Sequence, residues 1–147
     1  MLMSQIEWVD YALENPPVAS LDDVRRVEKE IDFKLPEDFI EVARHNQGRF
    51  PVPNGHVADG KGSALSGLYH FHGELGGDRL GWADFINEDA DTLLLAFSRD
   101  AGGNFFAFDY GADSQNENPT VVFWDHETRI VTKLADSFTE FLEQLRN

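Results

Sequence analysis

His70, His72 and Glu74 alternate along the stretch LYHFHGE. On a strand, alternate side chains share one face, a spacing that two imidazoles and a carboxylate could use to hold a metal ion. The same alternation also marks a solvated sheet face, and no second cluster of ligands completes the set. With no cysteine in the chain, thiolate zinc sites and disulfides are excluded. No metal and no other cofactor is expected.

The remaining chemical candidates reduce to turns. In WDHET, His126 stands between Asp125 and Glu127, and neighbours at a strand end point apart, which suits a hairpin turn better than an acid–base pair. Asp100 and Asp109 flank Gly102-Gly103 and could approach each other across a hairpin. Only burial or mutual repulsion would separate their pKa values for acid–base work, so solvated turn carboxylates are expected. Ser66, in ALSGL, lacks the glycine two residues before it that a nucleophile elbow uses. Gly102, Gly103 and Asn104 resemble a phosphate loop, but they lead into the strand-like FFAFDY rather than a helix, and no lysine follows. They read as a hairpin turn, with glycine supplying positive φ. No enzyme motif remains.

The elements that carry these residues are read from periodicity. Ser4 is placed to cap a short first helix, with Ile6, Val9 and Leu13 along one side, ending before Pro16-Pro17. Ser20 opens a second helix with Val24, Val27 and Ile31 at helical spacing. Pro36, Glu37 and Asp38 suit the first turn of a third, whose stripe is Phe39, Val42 and Ala43 and whose stop is Asn46-Gln47-Gly48. Residues 51–64 read as a loop, LYHFHGE as a short strand, and 76–91 as ambiguous, with Trp82, Phe85 and Ile86 suited to one buried helical turn. Residues 92–98, 105–110, 121–124 and 130–134 are strand-like and closely spaced, which predicts antiparallel neighbours. Ser137 and Glu140 suggest a capping box for a last helix carrying Phe138, Phe141, Leu142 and Leu145. The expectation is an α+β fold, a central antiparallel sheet with N-terminal helices and a C-terminal helix, in a single domain over 1–147 with residues 1–19 as a helical extension.

Charge is the unusual bulk property. Twelve Lys and Arg face 27 Asp and Glu, a formal −15, and residues 74–127 hold twelve acids against only Arg79 and Arg99. Such a field repels nucleic acid and anionic membrane and draws in basic partners, although acidity also serves simply to keep a protein dispersed. No apolar run is long enough to span a bilayer, and MLMSQIEWVD has no export-signal pattern, so the cytoplasm is the expected location.

The order of these pieces resembles the SUKH superfamily, which includes the Smi/Knr cell-wall regulators of yeast. The resemblance rests on Leu35-Pro36, Phe39, Asn46, Gly48, Gly102-Gly103, Trp124-Asp125-His126-Glu127, and Phe138, Phe141 and Leu142. It spans roughly residues 20–145, with Gln47 standing where the family often has glycine, and 49–91 matching poorly. The resemblance implies an α+β fold without a catalytic centre, and an immunity protein that neutralises a cognate basic toxin, often a nuclease. The partner-binding candidates are Trp82, Asp84, Glu88, Asp89 and Asp91, an apolar anchor with Phe85 and Ile86 inside a charged rim. The competing reading puts those aromatics in the core. Two other functions stay open: an interaction scaffold, or a small-ligand module with a cleft between the sheet and the second and third helices.

Overall fold

The computed structural model describes residues 6–11, 13–58, 60–72, 79–81 and 91–147. Ser20 starts helix α1 (Leu21–Ile31) with a reciprocal cap: its hydroxyl accepts from the Asp23 amide, and the Asp23 carboxylate accepts from the Ser20 amide, each at 3.0 Å. Val24 and Val27 are the buried face of α1. The helix ends where Asp32 turns left-handed at φ 58° and its amide donates to the Glu28 carbonyl. Helix α2 (Glu37–Asn46) begins directly after Pro36 and buries Phe39, Ile40 and Ala43, while Val42 is only half-buried. It stops at the expected place, and Gly48 takes the left-handed conformation at φ 76°.

Among the described residues of the N-terminal stretch, Glu7–Asp10 is a strand and not part of the expected helix. Strand β1 (Glu7–Asp10) pairs antiparallel with β2 (Arg49–Val52), Trp8 opposite Pro51 and Val9 opposite Phe50. Asp10 Oδ1 accepts from Arg49 Nε at 2.8 Å, and Tyr11 meets Phe50 edge-on at 5.9 Å. An isolated helix of two or three turns does not hold its own nucleation cost. A partner strand elsewhere in the chain offers a full ladder instead, and the ladder wins.

Residues 51–64 are not one loop either. After β2 they form a hairpin of β3 (Gly55–Ala58) and β4 (Lys61–Ala64), with Gly60 at φ 75°. Their glycines and polar residues hide the strand period, although the Asp59-Gly60 dipeptide is itself a hairpin signal. The hairpin is fastened to the other end of the molecule. Gly55 and Arg146 exchange amide–carbonyl bonds at 2.8 and 3.0 Å, and His56 Nε2 lies 2.9 Å from Gln144 Oε1.

The four expected strands form one antiparallel sheet in chain order: β5 (Leu94–Arg99), β6 (Phe105–Asp109), β7 (Thr120–Trp124) and β8 (Val131–Ala135). Among the described residues of LYHFHGE, 68–72, none forms a strand of this sheet. His70 makes a single parallel bridge to Arg79, and the Ser66 and Tyr69 amides donate to the Arg99 and Phe97 carbonyls along β5. Helix α3 (Phe138–Glu143) follows β8. Its Ser137 hydroxyl accepts from the Glu140 amide at 3.1 Å, while the Glu140 carboxylate reaches back to the Asp136 amide rather than to Ser137.

The core lies where α2 and α3 meet one sheet face. Phe39 of α2, Phe97 of β5, Phe108 of β6 and Phe138 of α3 are fully or almost fully buried. Their ring centroids lie 5.1 Å apart for Phe39–Phe138, 5.1 Å for Phe39–Phe108 and 4.7 Å for Phe97–Phe108. Truncating a buried phenylalanine costs about 3–5 kcal/mol, so this cluster sets the positions of both helix starts against the sheet. Among the described residues no helix is long and apolar enough to cross a membrane.

Candidate partner surface

The residues with chemical potential in the sequence are placed as structure. His70 is buried, its Nδ1 3.2 Å from the His72 amide, whereas His72 turns Nε2 toward Asp23 Oδ2 at 3.3 Å on α1. The two imidazoles therefore have different neighbours, and Glu74 lies outside the described residues. Among the described residues no group of three or more His, Asp or Glu is arranged for a metal ion.

Asp100 and Asp109 do not approach each other. Asp100 closes the glycine turn, while Asp109 sits at the far end of β6, opposite Leu94 and Thr120. Asp100 Oδ1 accepts from the Gly102 and Asn104 amides, both at 2.9 Å. Its Oδ2 accepts from Asn104 Nδ2 at 3.0 Å and Ser63 Oγ at 2.7 Å. Partial burial alone would raise the Asp100 pKa, but these donors together outweigh it and hold the carboxyl below its usual value. A carboxylate has about four acceptor positions, and all are taken. Asp100 also lines an open cleft of about 410 Å³ with Tyr11, Phe50 and Ser63, and its saturation leaves that cleft no free acceptor position from this group.

Asn104 joins the two turns. Its Oδ1 accepts from the His126 amide at 3.0 Å and lies 2.8 Å from His126 Nδ1. Asp125 Oδ1 accepts from the Glu127 amide at 2.8 Å, and Arg129 closes the WDHET turn at φ 61°. WDHET is a turn, as its composition predicts.

A different group of residues forms a groove. The connection into α2 is held from three directions: Glu28 Oε2 accepts from the Leu35 amide at 2.7 Å, Tyr110 Oη donates to the Lys34 carbonyl at 2.6 Å, and the Lys34 amide donates to the Ser114 carbonyl at 2.9 Å. Burial, with the Glu28 charge second, pushes the Tyr110 phenol far above its ordinary range, so it stays a donor. From the other side, Asp38 Oδ2 accepts from both the amide and the hydroxyl of Thr139, each at 2.9 Å, which ties the start of α2 to the start of α3. Between the two helix starts and the 117–119 segment lies a space of about 310 Å³. Leu35, Pro36, Pro119 and Phe138, all buried, make its base, and Glu37, Glu117 and Asp136 its rim.

Those rim carboxylates are 69, 73 and 71% exposed, and their ion pairs are to Arg25 at 3.8 Å, Lys34 at 4.0 Å and Lys133 at 2.5 Å. Exposed pairs of this kind are screened by solvent and contribute little to stability. With Asp38, the lining carries four carboxylates against one ammonium, that of Lys34.

The profile of the SMI1/KNR4 family (SUKH-1) matches residues 18–144. The chain belongs to that family. Comparisons with curated proteins and with solved structures return no match. The SMI1/KNR4 match runs from just before α1 to just after α3 and leaves β1 outside it. The family-matching residues are fold-forming here. Leu35, Phe39, Phe138, Phe141 and Leu142 are core, and Gly48 and Gly103 are left-handed turn positions. Gln47, where the SUKH pattern favours glycine, is buried and acts as a clamp: Nε2 donates to the Pro17 carbonyl at 2.6 Å and Oε1 accepts from the Phe71 amide at 3.0 Å.

Of the partner-binding residues expected from sequence, Asp91 is exposed in the turn before β5. Trp82, Asp84, Glu88 and Asp89 lie outside the described residues, as do Phe85 and Ile86. The groove acids escaped sequence reading because Glu37, Glu117 and Asp136 belong to separate parts of the chain. Only Glu37 carried a local signal, and that signal pointed to the helix dipole.

Proposed function

We propose that this SUKH-1 chain is a bacterial immunity protein that binds and neutralises a cognate polymorphic toxin, a basic nuclease domain, through an acidic surface. The observation that carries the reading is the charge imbalance of a SUKH-1 domain: 27 acids against 12 bases, with twelve of the acids in residues 74–127. A domain that cuts nucleic acid presents basic surface to its substrate. An acidic inhibitor is complementary to that surface and is captured quickly at low salt. In this reading the chain has no catalytic role and carries no cofactor. It acts in the cytoplasm by occupying the toxin, and it avoids nucleic acid and membrane because its own field repels them.

Trp82, Asp84, Glu88, Asp89 and Asp91 are the proposed contacts from the acidic segment, apolar anchor and charged rim together. The test is capture of the adjacent gene's product, followed by stopped-flow association across a salt series. Reversing Asp84, Asp89 and Asp91 to lysine should slow association and flatten its salt dependence, since long-range attraction acts on the on-rate. An unchanged on-rate and salt slope would remove these acids from the contact. Failure of the adjacent gene's product to bind at all would remove the immunity reading and favour an interaction scaffold.

A further inference from the structure

We infer that the cleft between β4, Tyr11 and the Asp100–Gly102 turn is a docking site for an extended segment of a protein partner, which adds to the free edge of β4 as a further strand. The inference goes beyond the proposed function and holds whatever the partner's activity. The free edge follows from where one residue spends its backbone. Gly55 gives its amide to the Arg146 carbonyl and takes the Arg146 amide on its own carbonyl, at 2.8 and 3.0 Å, so it faces Arg146 and not Ala64, its neighbour across the β3–β4 hairpin. Gly55 and Ala64 are therefore a non-hydrogen-bonded pair, and by the alternation of an antiparallel ladder so are Val57 and Gly62. The amides and carbonyls of Gly62 and Ala64 then point away from β3, while those of Ser63 face His56. Arg146 closes the opposite edge of the hairpin at Gly55, whereas the β4 edge pairs with no further strand among the described residues. Gly62 and Ala64 are both exposed.

The cleft meets that edge. Every residue from Gly62 to Ser66 lines it. Alternate side chains leave a strand on opposite faces, so a run without gaps places the cleft along the edge itself. Its apolar surface is open: Tyr11 is 60% exposed and meets the half-buried Phe50 edge-on, which leaves a ring for an entering side chain to cover. Main-chain bonds to an edge give such docking its affinity, and an apolar site for alternate side chains gives its selectivity. The two outward residues lie one strand repeat apart, about 6.8 Å, the spacing at which an extended chain offers its own groups. Charge and shape select the occupant. Among the described residues that line the cleft there is no cation and one carboxylate, Asp100, whose acceptor positions are filled. The segment that fits is apolar at its centre, carries no acid there and brings its own backbone donors and acceptors. A second copy fits badly. It would bring the same formal −15 and set one concavity against another, leaving a void between them.

The experiment uses the full chain and, as probe, a capped heptapeptide that alternates threonine and valine around a central phenylalanine, with a lysine at each end. A titration followed by amide chemical shifts should give saturable shifts centred on Tyr11, Gly62 and Ala64. At saturation, hydrogen exchange should slow at least tenfold at the Gly62 and Ala64 amides and stay unchanged at Ser63, which already faces β3. Two N-methylated forms of the peptide, each blocking one alternate set of amides, should differ. One should bind as the parent does and the other at least tenfold more weakly. Glutamate in place of the central phenylalanine should abolish binding. Ala64→Pro removes one outward donor at an edge position where proline is tolerated and should weaken binding at least tenfold, and Tyr11→Ala severalfold. Both positions are exposed, and an unchanged melting temperature shows that the fold is kept; if Ala64→Pro loses its fold, the alternate exchange pattern and Tyr11→Ala decide. No saturable shift, slowing that includes Ser63 equally, equal binding of both methylated forms, or shifts centred on the Glu37–Asp136 groove would each overturn the inference. So would a concentration-dependent dimer that protects Gly62 and Ala64 without peptide, which would assign the edge to a second copy.

Discussion

Asp38 and Thr139 are 101 residues apart in the chain, and one carboxylate oxygen of the first accepts both the amide and the hydroxyl of the second at 2.9 Å. A residue in the first turn of α2 thereby serves as a cap for α3, a six-residue helix too short to be stable alone. Asp38→Ala leaves the Thr139 donors without this acceptor. It should lower the unfolding free energy by about 1–2 kcal/mol in denaturant titration. Asp38→Asn, which keeps an acceptor oxygen, should lose less. Equal losses in the two variants would mean that the cap bonds contribute nothing measurable.

Gln47 joins Pro17 to Phe71 from a buried position. Gln47→Leu keeps much of the volume but leaves a backbone carbonyl and a backbone amide without this partner. Phe71 is buried and Pro17 exposed, so the expected cost is that of the one buried amide, about 1–3 kcal/mol. Hydrogen exchange at Phe71 should accelerate in the variant. Full stability in Gln47→Leu would show that the Phe71 amide finds another partner or solvent.

The glycine turn separates into two unlike positions. Gly103 is at φ 89°, a conformation that side chains disfavour, while Gly102 is not in the left-handed region and an added Cβ there would meet only ordinary contacts at 3.5 Å. Gly103→Ala should therefore destabilise by about 1 kcal/mol or more, and Gly102→Ala should be close to neutral. Thermal melts of the two variants decide this. Equal shifts would contradict the assignment of strain to Gly103 alone.

Asp100 makes stability depend on acid. Its folded pKa is below the value of about 3.9 usual for an unfolded aspartate. The unfolded state therefore binds the proton first as pH falls. The Asp100 contribution is complete above the unfolded pKa and is lost as pH drops through the folded one. Asp100→Asn should be less stable than wild type at pH 7, and the difference should shrink below about pH 4. A difference that stays constant from pH 7 to pH 3 would show that the charge of Asp100 is irrelevant to the turn.

What could be read without the structure was what local chemistry controls. Ser20 and Ser137 mark helix starts because a hydroxyl satisfies an amide a few residues away. Gly48 and Gly103 mark reversals because only glycine takes positive φ without strain, and the spacing of Phe138, Phe141 and Leu142 marks a buried helix face. These signals act within a turn or two of the chain, and they set the α+β order and the four-strand sheet. The tertiary structure decided what depends on distant partners. Trp8 and Val9 are strand residues because Arg49–Val52 offers them a ladder, and the polar hairpin of Gly55–Ala58 and Lys61–Ala64 is held to Arg146 and Gln144. The acidic groove arises only when Asp38 and Thr139 bring two helix starts together beside Glu117. No local propensity encodes such a meeting, because its free energy comes from packing and hydrogen bonds between segments that are neighbours in space and not in sequence.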